Sequence, residues 1–357
     1  MSAINLNALS KQQLASFVKE ASLPSFRAKQ LLHWIYEKHA RSIADITEFS
    51  VELRTRLAEK AFINDLELIK RVVDKDGTEK FLFGLEDNQS IESVLIPDEE
   101  RLTLCISSQI GCAMNCKFCL TGSIGFIRNL LPHEIVGQVI SVSRLIRHAP
   151  IPPSVTPPNT SLARGITNIV FMGMGEPLAN FDNVVEALRR MTDLMKISPG
   201  RITLSTSGII PKISVLAVEA PKVKLAVSLN ATTESVRDYI MPVNKIYPLK
   251  SLLDACRKFP LPAGRSVTFE YVLLKGVNDT PEDATRLVHL LRGIQAKVNL
   301  IPFNDFSGSE FRQPDSKNVL VFQSILVKAH ITAIVRKSRG QGISAACGQL
   351  KAKYSIS

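Results

Sequence analysis

Apolar positions recur at two spacings, and the change between them divides the chain. From Lys11 to about Phe62 the spacing is helical: Leu14, Phe17 and Val18 stand at i, i+3 and i+4, and Leu31, Leu32, Trp34, Ile35 and Tyr36 follow Pro24. Residues 66–73 and 80–85 run extended on either side of Lys75-Asp76-Gly77, where Asp-Gly favours a hairpin. Residues 90–96 predict a third strand ending at Pro97. Beyond it, short apolar runs alternate with amphipathic segments: 102–106 then 132–147, 168–171 then 181–195, then 201–204 and 223–227, 267–274 then 281–292, and 298–301 then 319–329.

Repeated βα units predict an α/β fold with a parallel sheet and helices outside it. About six units suit a partial (β/α)6 barrel, whose chemistry gathers at the C-terminal ends of its strands. The expected organisation is a helical accessory domain over 1–65, a short β extension over 66–97 and the barrel over 98–357. Residues 148–158 hold five prolines in nine positions, which forbids regular structure and predicts an exposed, solvated loop insertion.

A chain of 357 residues, 45% of it apolar, can bury a sizeable core. Lys and Arg exceed Asp and Glu by 44 − 33 = 11, which makes a polyanion a natural partner. Arg27, Lys29, Lys38, Arg41, Arg54, Arg56 and Lys60 are scattered through the helical part, where they either solvate helix faces or meet phosphates. No basic-then-apolar leader and no run of eighteen apolar residues is present, so no membrane association is expected.

Half of the six cysteines fall in Gly111-Cys112-Ala113-Met114-Asn115-Cys116-Lys117-Phe118-Cys119, spaced Cys-x3-Cys-x2-Cys. Three soft thiolates in one loop, with no histidine beside them, favour an iron–sulfur centre over zinc. A structural zinc site wants a fourth ligand, and His133 lies fourteen residues on, in the first turn of a predicted helix. Three buried structural cysteines are the other alternative. Such a metal-binding thiol set places the chain in the reducing cytoplasm.

Met172-Gly173-Met174-Gly175-Glu176-Pro177 follows the strand 168–171, so its glycines let backbone approach a ligand closely and Glu176 offers acceptors to an ammonium. Small polar groups recur at later strand ends: Ser205, then Ser228-Leu229-Asn230, then Asn304. Cys105 lies in an apolar strand seven residues before the triplet, and Cys347 near the C-terminus; either alone is by default a buried structural thiol. Cys256, in an amphipathic helix, is assigned to that default.

The cysteine triplet resembles that of the radical SAM enzymes. The ordered set Cys105-Ile106-Ser107-Ser108-Gln109, the triplet, Thr121-Gly122-Ser123-Ile124-Gly125-Phe126, Gly173-Met174-Gly175-Glu176-Pro177, Met241-Pro242-Val243-Asn244 and Ala345-Ala346-Cys347-Gly348-Gln349-Leu350 closely resembles the RlmN family of RNA adenine-C2 methyltransferases. The resemblance extends to the N-terminal Pro24-Ser25-Phe26-Arg27-Ala28-Lys29-Gln30, and so covers nearly the whole length.

That resemblance implies a radical SAM barrel in which Cys112, Cys116 and Cys119 hold a [4Fe-4S] cluster, leaving one iron open to S-adenosylmethionine. It assigns Gly175, Glu176, Ser205, Ser228, Leu229, Asn230 and Asn304 to S-adenosylmethionine, Cys347 to carrying a methyl group, Cys105 to forming a disulfide with it, and Glu92 to accepting a proton. The implied reaction uses two S-adenosylmethionine molecules per turnover and an external electron donor, acts on 23S rRNA and on the adenine 3′ to the anticodon of some tRNAs, and is carried out by a monomer. Asn230 stands where many relatives have histidine, and Gly342 where aspartate is usual. A C8-methylating enzyme of the Cfr type, with the same cysteine set, and a non-catalytic RNA-binding iron–sulfur protein are the alternatives; the second leaves Cys105 and Cys347 unexplained.

Overall fold

The computed structural model describes residues 3–99, 101–147 and 165–350, so the proline-rich segment 148–158 lies outside the described residues. The chain begins with helices Lys11–Glu20, Phe26–His33 and Val51–Ala58. Ser10 starts the first of them, its hydroxyl accepting from Gln13 N while the Gln13 side chain accepts from Ser10 N. Strands Ile4–Asn5 and Ala61–Phe62, too short for periodicity to show, pair in parallel and tie the ends of this unit together.

A ten-stranded sheet makes up the rest of the frame. Seven neighbouring strands in it run parallel: Arg101–Cys105, Asn168–Phe171, Ile202–Thr206, Lys224–Ser228, Val267–Leu273, Ala296–Pro302 and Thr332–Val335. They follow sequence order across the sheet, which stays open at both edges, as a partial barrel requires. Six correspond to the predicted units. The seventh, Thr332–Val335, is a short edge strand with only Ala333 buried, too weak a pattern to identify beforehand.

The predicted hairpin forms as Glu67–Val73 and Glu79–Gly84, and a third strand, Ser90–Asp98, runs on through Pro97, which pairs with Leu102. These three antiparallel strands continue the barrel sheet past Arg101–Cys105. One core runs from Leu14, Phe17 and Leu31 in the N-terminal helices to Phe269 and Leu300 in the barrel strands. Arg190 reinforces that junction, donating to Asn7 O (2.7 Å) and Tyr36 Oη (3.3 Å). No helix among the described residues is long and apolar enough to cross a membrane.

Candidate active site

The C-terminal strand ends open into one chamber, and most of the residues singled out by sequence line it. Cys112, Cys116 and Cys119 form one wall, Gly175 and Glu176 a second, and Ser205, Ser228 and Asn230 a third; Asn304 and Cys347 complete it. Leu229 is buried beside it, its N–H donating to Glu270 O. Cys105 and Glu92 do not line the chamber; both are buried, and Cys105 packs against Leu350 of its wall.

The cysteine loop is shaped by positions that only particular residues can hold. Gly111 has φ +71°, and a Cβ there would lie 1.7 Å from Gly125 O. Asn115 takes a left-handed φ of +50°, which asparagine tolerates. Cys112 N then donates to Gly125 O (3.0 Å) and Lys117 N to Ile240 O (3.0 Å). Burial first pushes both up: Cys116 well upward, with Cys119 and Cys112 adding to it, and Cys112 to about 12, with Glu176 and then Cys119 adding to it. Thiols so placed are ligands only with a cationic centre to hold them ionised. Among the described residues no three His, Cys, Asp or Glu side chains could hold a single metal ion.

The Gly173–Gly175 loop is bolted to the segment after the first barrel strand. Met174 O accepts from Ser108 N (2.8 Å), and Glu176 N donates to Gln109 Oε1 (2.8 Å). Gly175 has φ +100°, with Gln109 N 2.7 Å from where a Cβ would stand. The Glu176 carboxylate is buried and accepts from Thr206 Oγ1 (2.7 Å), Ser207 N (2.7 Å) and Leu178 N (2.9 Å). A carboxylate has about four acceptor sites, so one remains for an ammonium group. Burial raises its pKa, against those donors.

Asn230 also has a left-handed φ, +56°. Its Oδ1 accepts from Val272 N (2.8 Å) and its Nδ2 donates to Met241 Sδ (3.2 Å), so it braces the strand end as well as lining the chamber.

Cys347 reaches the cysteine loop because its segment docks there. Leu120 N donates to Gly348 O (2.7 Å), Thr121 Oγ1 to Leu350 O (2.8 Å), and Asn304 Nδ2 lies 3.5 Å from Cys347 O. The hairpin turn clasps the same segment: Gly342 N donates to Asp74 Oδ2 (3.1 Å) and Gly340 N to Asp76 Oδ2 (3.0 Å). A Cβ at 342 would stand 2.8 Å from Asp74 Oδ1, so glycine suits this chain where an aspartate would meet a second carboxylate.

Cys347 is exposed, though into the chamber; enclosure by the walls pushes its thiol upward, with Glu270 and Cys119 adding to the effect. Cys105 packs with Val94, Met174, Ala345 and Leu350. Burial raises it to about 12, and the next contribution is Cys347, which places the two thiols within electrostatic reach. Both are free thiols. Glu92 pairs with Lys80 (3.1 Å), and Lys80 also donates to Ser344 O (3.2 Å), three residues from Cys347.

Three supporting side chains carry no local motif. Gln138 Oε1 accepts from Ser107 N and Ser93 Oγ, both at 2.8 Å. Arg237 is wholly buried and spans the strand-end carbonyls of Ser207 (2.8 Å), Ser228 (3.2 Å) and Leu229 (3.1 Å). Burial lowers it to about 10, with Cys116 the largest opposing influence. Glu270, buried in the strand Val267–Leu273, lines the chamber. A charged residue in an apolar strand run is a signal sequence offers for it.

Comparison with known proteins bears on this arrangement. Residues 4–63 match the Ribosomal RNA large subunit methyltransferase N-terminal domain, and residues 160–288 the Radical SAM superfamily. The chain is 51% identical to a dual-specificity RNA methyltransferase RlmN of Pelobacter propionicus, over 98% of this chain and 96% of that protein. It is 50% identical to the RlmN of Geobacter sulfurreducens, over 98% and 92%. A crystal structure of a radical SAM methyltransferase from Sphaerobacter thermophilus superposes with a TM-score of 0.90 at 40% identity, covering 98% of this chain and all of that one. Membership implies a 4Fe-4S cluster and S-adenosylmethionine, which the thiol loop and the strand ends have the chemistry to hold. The chain belongs to the RlmN family of radical SAM methyltransferases.

Proposed function

We propose that this chain methylates carbon C2 of adenine in 23S rRNA and in tRNA, carrying the methyl group on Cys347 and releasing product through Cys105. The observation that carries the proposal is the docking of the Cys347 segment on the cysteine loop. One chamber then holds the carrier sulfur, three ligand thiols, and strand ends suited to S-adenosylmethionine.

Adenine C2 has no lone pair with which to attack a sulfonium methyl. Cys112, Cys116 and Cys119 would hold the cluster, which with S-adenosylmethionine would supply the hydrogen-abstracting 5′-deoxyadenosyl radical that the reaction needs. Cys347 takes its methyl from a separate S-adenosylmethionine by displacement, which requires the thiolate. Glu176 keeps an acceptor for the amino group, and Gly175, Ser205, Ser228, Leu229, Asn230 and Asn304 offer backbone and small polar groups to the remainder. Joining the carried carbon radical to C2 leaves an adduct that would return one electron to the redox centre that generated the radical, and Glu92, held by Lys80 beside the Cys347 loop, accepts the C2 proton. Cys105 then attacks the Cys347 sulfur, freeing methylated RNA and leaving a disulfide that an external electron donor reduces.

The N-terminal helices and the excess of positive charge support docking of RNA by this chain, acting as a cytoplasmic monomer. The matched relatives named RlmN favour C2 over the Cfr-type C8 reaction. Incubation of the reconstituted protein with 23S rRNA or tRNA, S-adenosylmethionine and reductant, followed by nucleoside mass spectrometry against 2- and 8-methyladenosine standards, tests this. 2-Methyladenosine alone is expected; 8-methyladenosine would overturn the assignment.

A further inference from the structure

The proposed function leaves open how Cys347 becomes a nucleophile. Its thiol is pushed upward by the chamber walls, so little thiolate exists at neutral pH unless a base within reach takes the proton. Glu270 is the buried carboxylate that lines the same chamber without a role in that scheme. Its Oε1 is fixed by Asn299 Nδ2 at 2.9 Å. Its Oε2 has no hydrogen-bond partner among the described residues. An orphaned buried carboxylate oxygen is costly and marks a site where a proton or a donor is to be met.

The sheet register explains the placement. Glu270 lies opposite Ser228 on one neighbouring strand and Asn299 on the other, level with the strand ends that line the chamber. Burial raises its pKa, while Arg336 and the Asn299 bond lower it, a balance suited to a base that must take a proton and return it.

We propose that Glu270 is the general base that deprotonates Cys347 for its methylation. This rests on Cys347 being the methyl carrier. Two like charges facing one chamber repel each other, so the pair holds one negative charge between them. At rest it sits on Glu270. When a sulfonium approaches, the Cys347 S–H proton passes to Glu270 Oε2 and the charge moves to sulfur. The sulfur lone pair forms the new S–CH3 bond as the methyl–sulfonium bond breaks; its electrons stay on the departing S-adenosylhomocysteine, a neutral thioether. The proton remains on Glu270 until solvent removes it. No oxidant or reductant enters this step.

The test follows methyl-Cys347 itself, by peptide mass spectrometry after rapid mixing of cluster-loaded protein bearing unmodified Cys347 with labelled S-adenosylmethionine, without reductant or RNA. In the wild type the rate should level off across about pH 6 to 9, where unassisted thiol ionisation would raise it tenfold per unit. Glu270→Gln keeps an acceptor for Asn299 and the shape of the wall but cannot take the proton. Its rate at neutral pH should fall roughly 100-fold or more, with KM for S-adenosylmethionine within a few-fold, and should climb with pH; Glu270→Asp should recover part of the loss. Equal rates and profiles in wild type and Glu270→Gln would overturn the proposal. So would a faster Glu270→Gln, since a purely repulsive Glu270 only hinders the thiolate, or a defect confined to KM. The wild-type profile decides even where the variant fails to load its cluster: a tenfold rise per unit throughout contradicts a base at Glu270. A wild type that forms no methyl-Cys347 at all would instead refute the carrier assignment beneath it.

Discussion

The two ends of the shared core bury different things. Around the N-terminal helices the interior is Leu14, Phe17, Val18, Leu31 and Ile35, with His39 the buried polar side chain. No glycine occurs before Gly77. At the barrel mouth Glu176, Arg237, Asn230, Ser207 and Glu270 are buried together, and Gly111 and Gly175 hold backbone that no other residue fits. The N-terminal interior is mostly hydrocarbon, although Trp34 Nε1 and His39 Nδ1 are buried there without a partner among the described residues, and each such group costs about 1–3 kcal/mol. The mouth buries whole charged and polar side chains instead, and ties most of them down by hydrogen bonds from neighbouring strand ends. The N-terminal unit is a fold stabilised by its apolar faces; the mouth is a set of functional groups stabilised by the fold.

The comparison is broken most severely at the three thiols proposed as cluster ligands. Cys112→Ala, Cys116→Ala or Cys119→Ala should abolish cluster binding and all product while the helical unit stays folded, measured as iron and sulfide per chain alongside circular dichroism. A full cluster in any of the three would remove the ligand assignment.

A second effect belongs to the N-terminal side. Burial, then the cations of Arg147 and Arg144, holds His39 down to about 4, against an ordinary value of 6.5. Between those values the unfolded chain binds the proton that the folded chain refuses, so stability falls as pH drops through that window. The full difference is on the order of 3 kcal/mol. His39→Asn, which suits the left-handed φ of +60° there, should lose less stability than wild type in denaturant melts on acidification. An equal loss in both would show that His39 is not the titrating group.

A smaller effect comes from Gly175. Gly175→Ala imposes a side chain at φ +100° against Gln109, at a cost of roughly 2 kcal/mol. The loss should appear together with weaker S-adenosylmethionine binding in calorimetry. Unchanged affinity would mean that the loop relaxes without disturbing the site.

Much of this was legible in the chain because it is written locally. The cysteine triplet, the Gly-Glu-Pro turn and the alternation of strands with amphipathic segments each occupy a few consecutive residues, and six of the seven parallel strands follow from them. What was missed depends on tertiary contact. Arg237 matters because one helix carries it under two strand ends, and Lys80 because a hairpin brings it to Ser344, 264 residues away. Cys105 and Cys347 carried no signal of their proximity beyond family resemblance. Their approach comes from the docking of the C-terminal segment, which neither periodicity nor composition encodes.

That approach is also where the account is most exposed. Cys347→Ala and Cys105→Ala proteins, each loaded with cluster, would be incubated with RNA, S-adenosylmethionine and reductant and run on a denaturing gel, with nuclease digestion and peptide mass spectrometry of any shifted band. The account predicts no product and no adduct from Cys347→Ala, and accumulation of protein cross-linked to RNA through Cys347 from Cys105→Ala. Normal turnover without adduct in Cys105→Ala, or methylated adenine from Cys347→Ala, would contradict it.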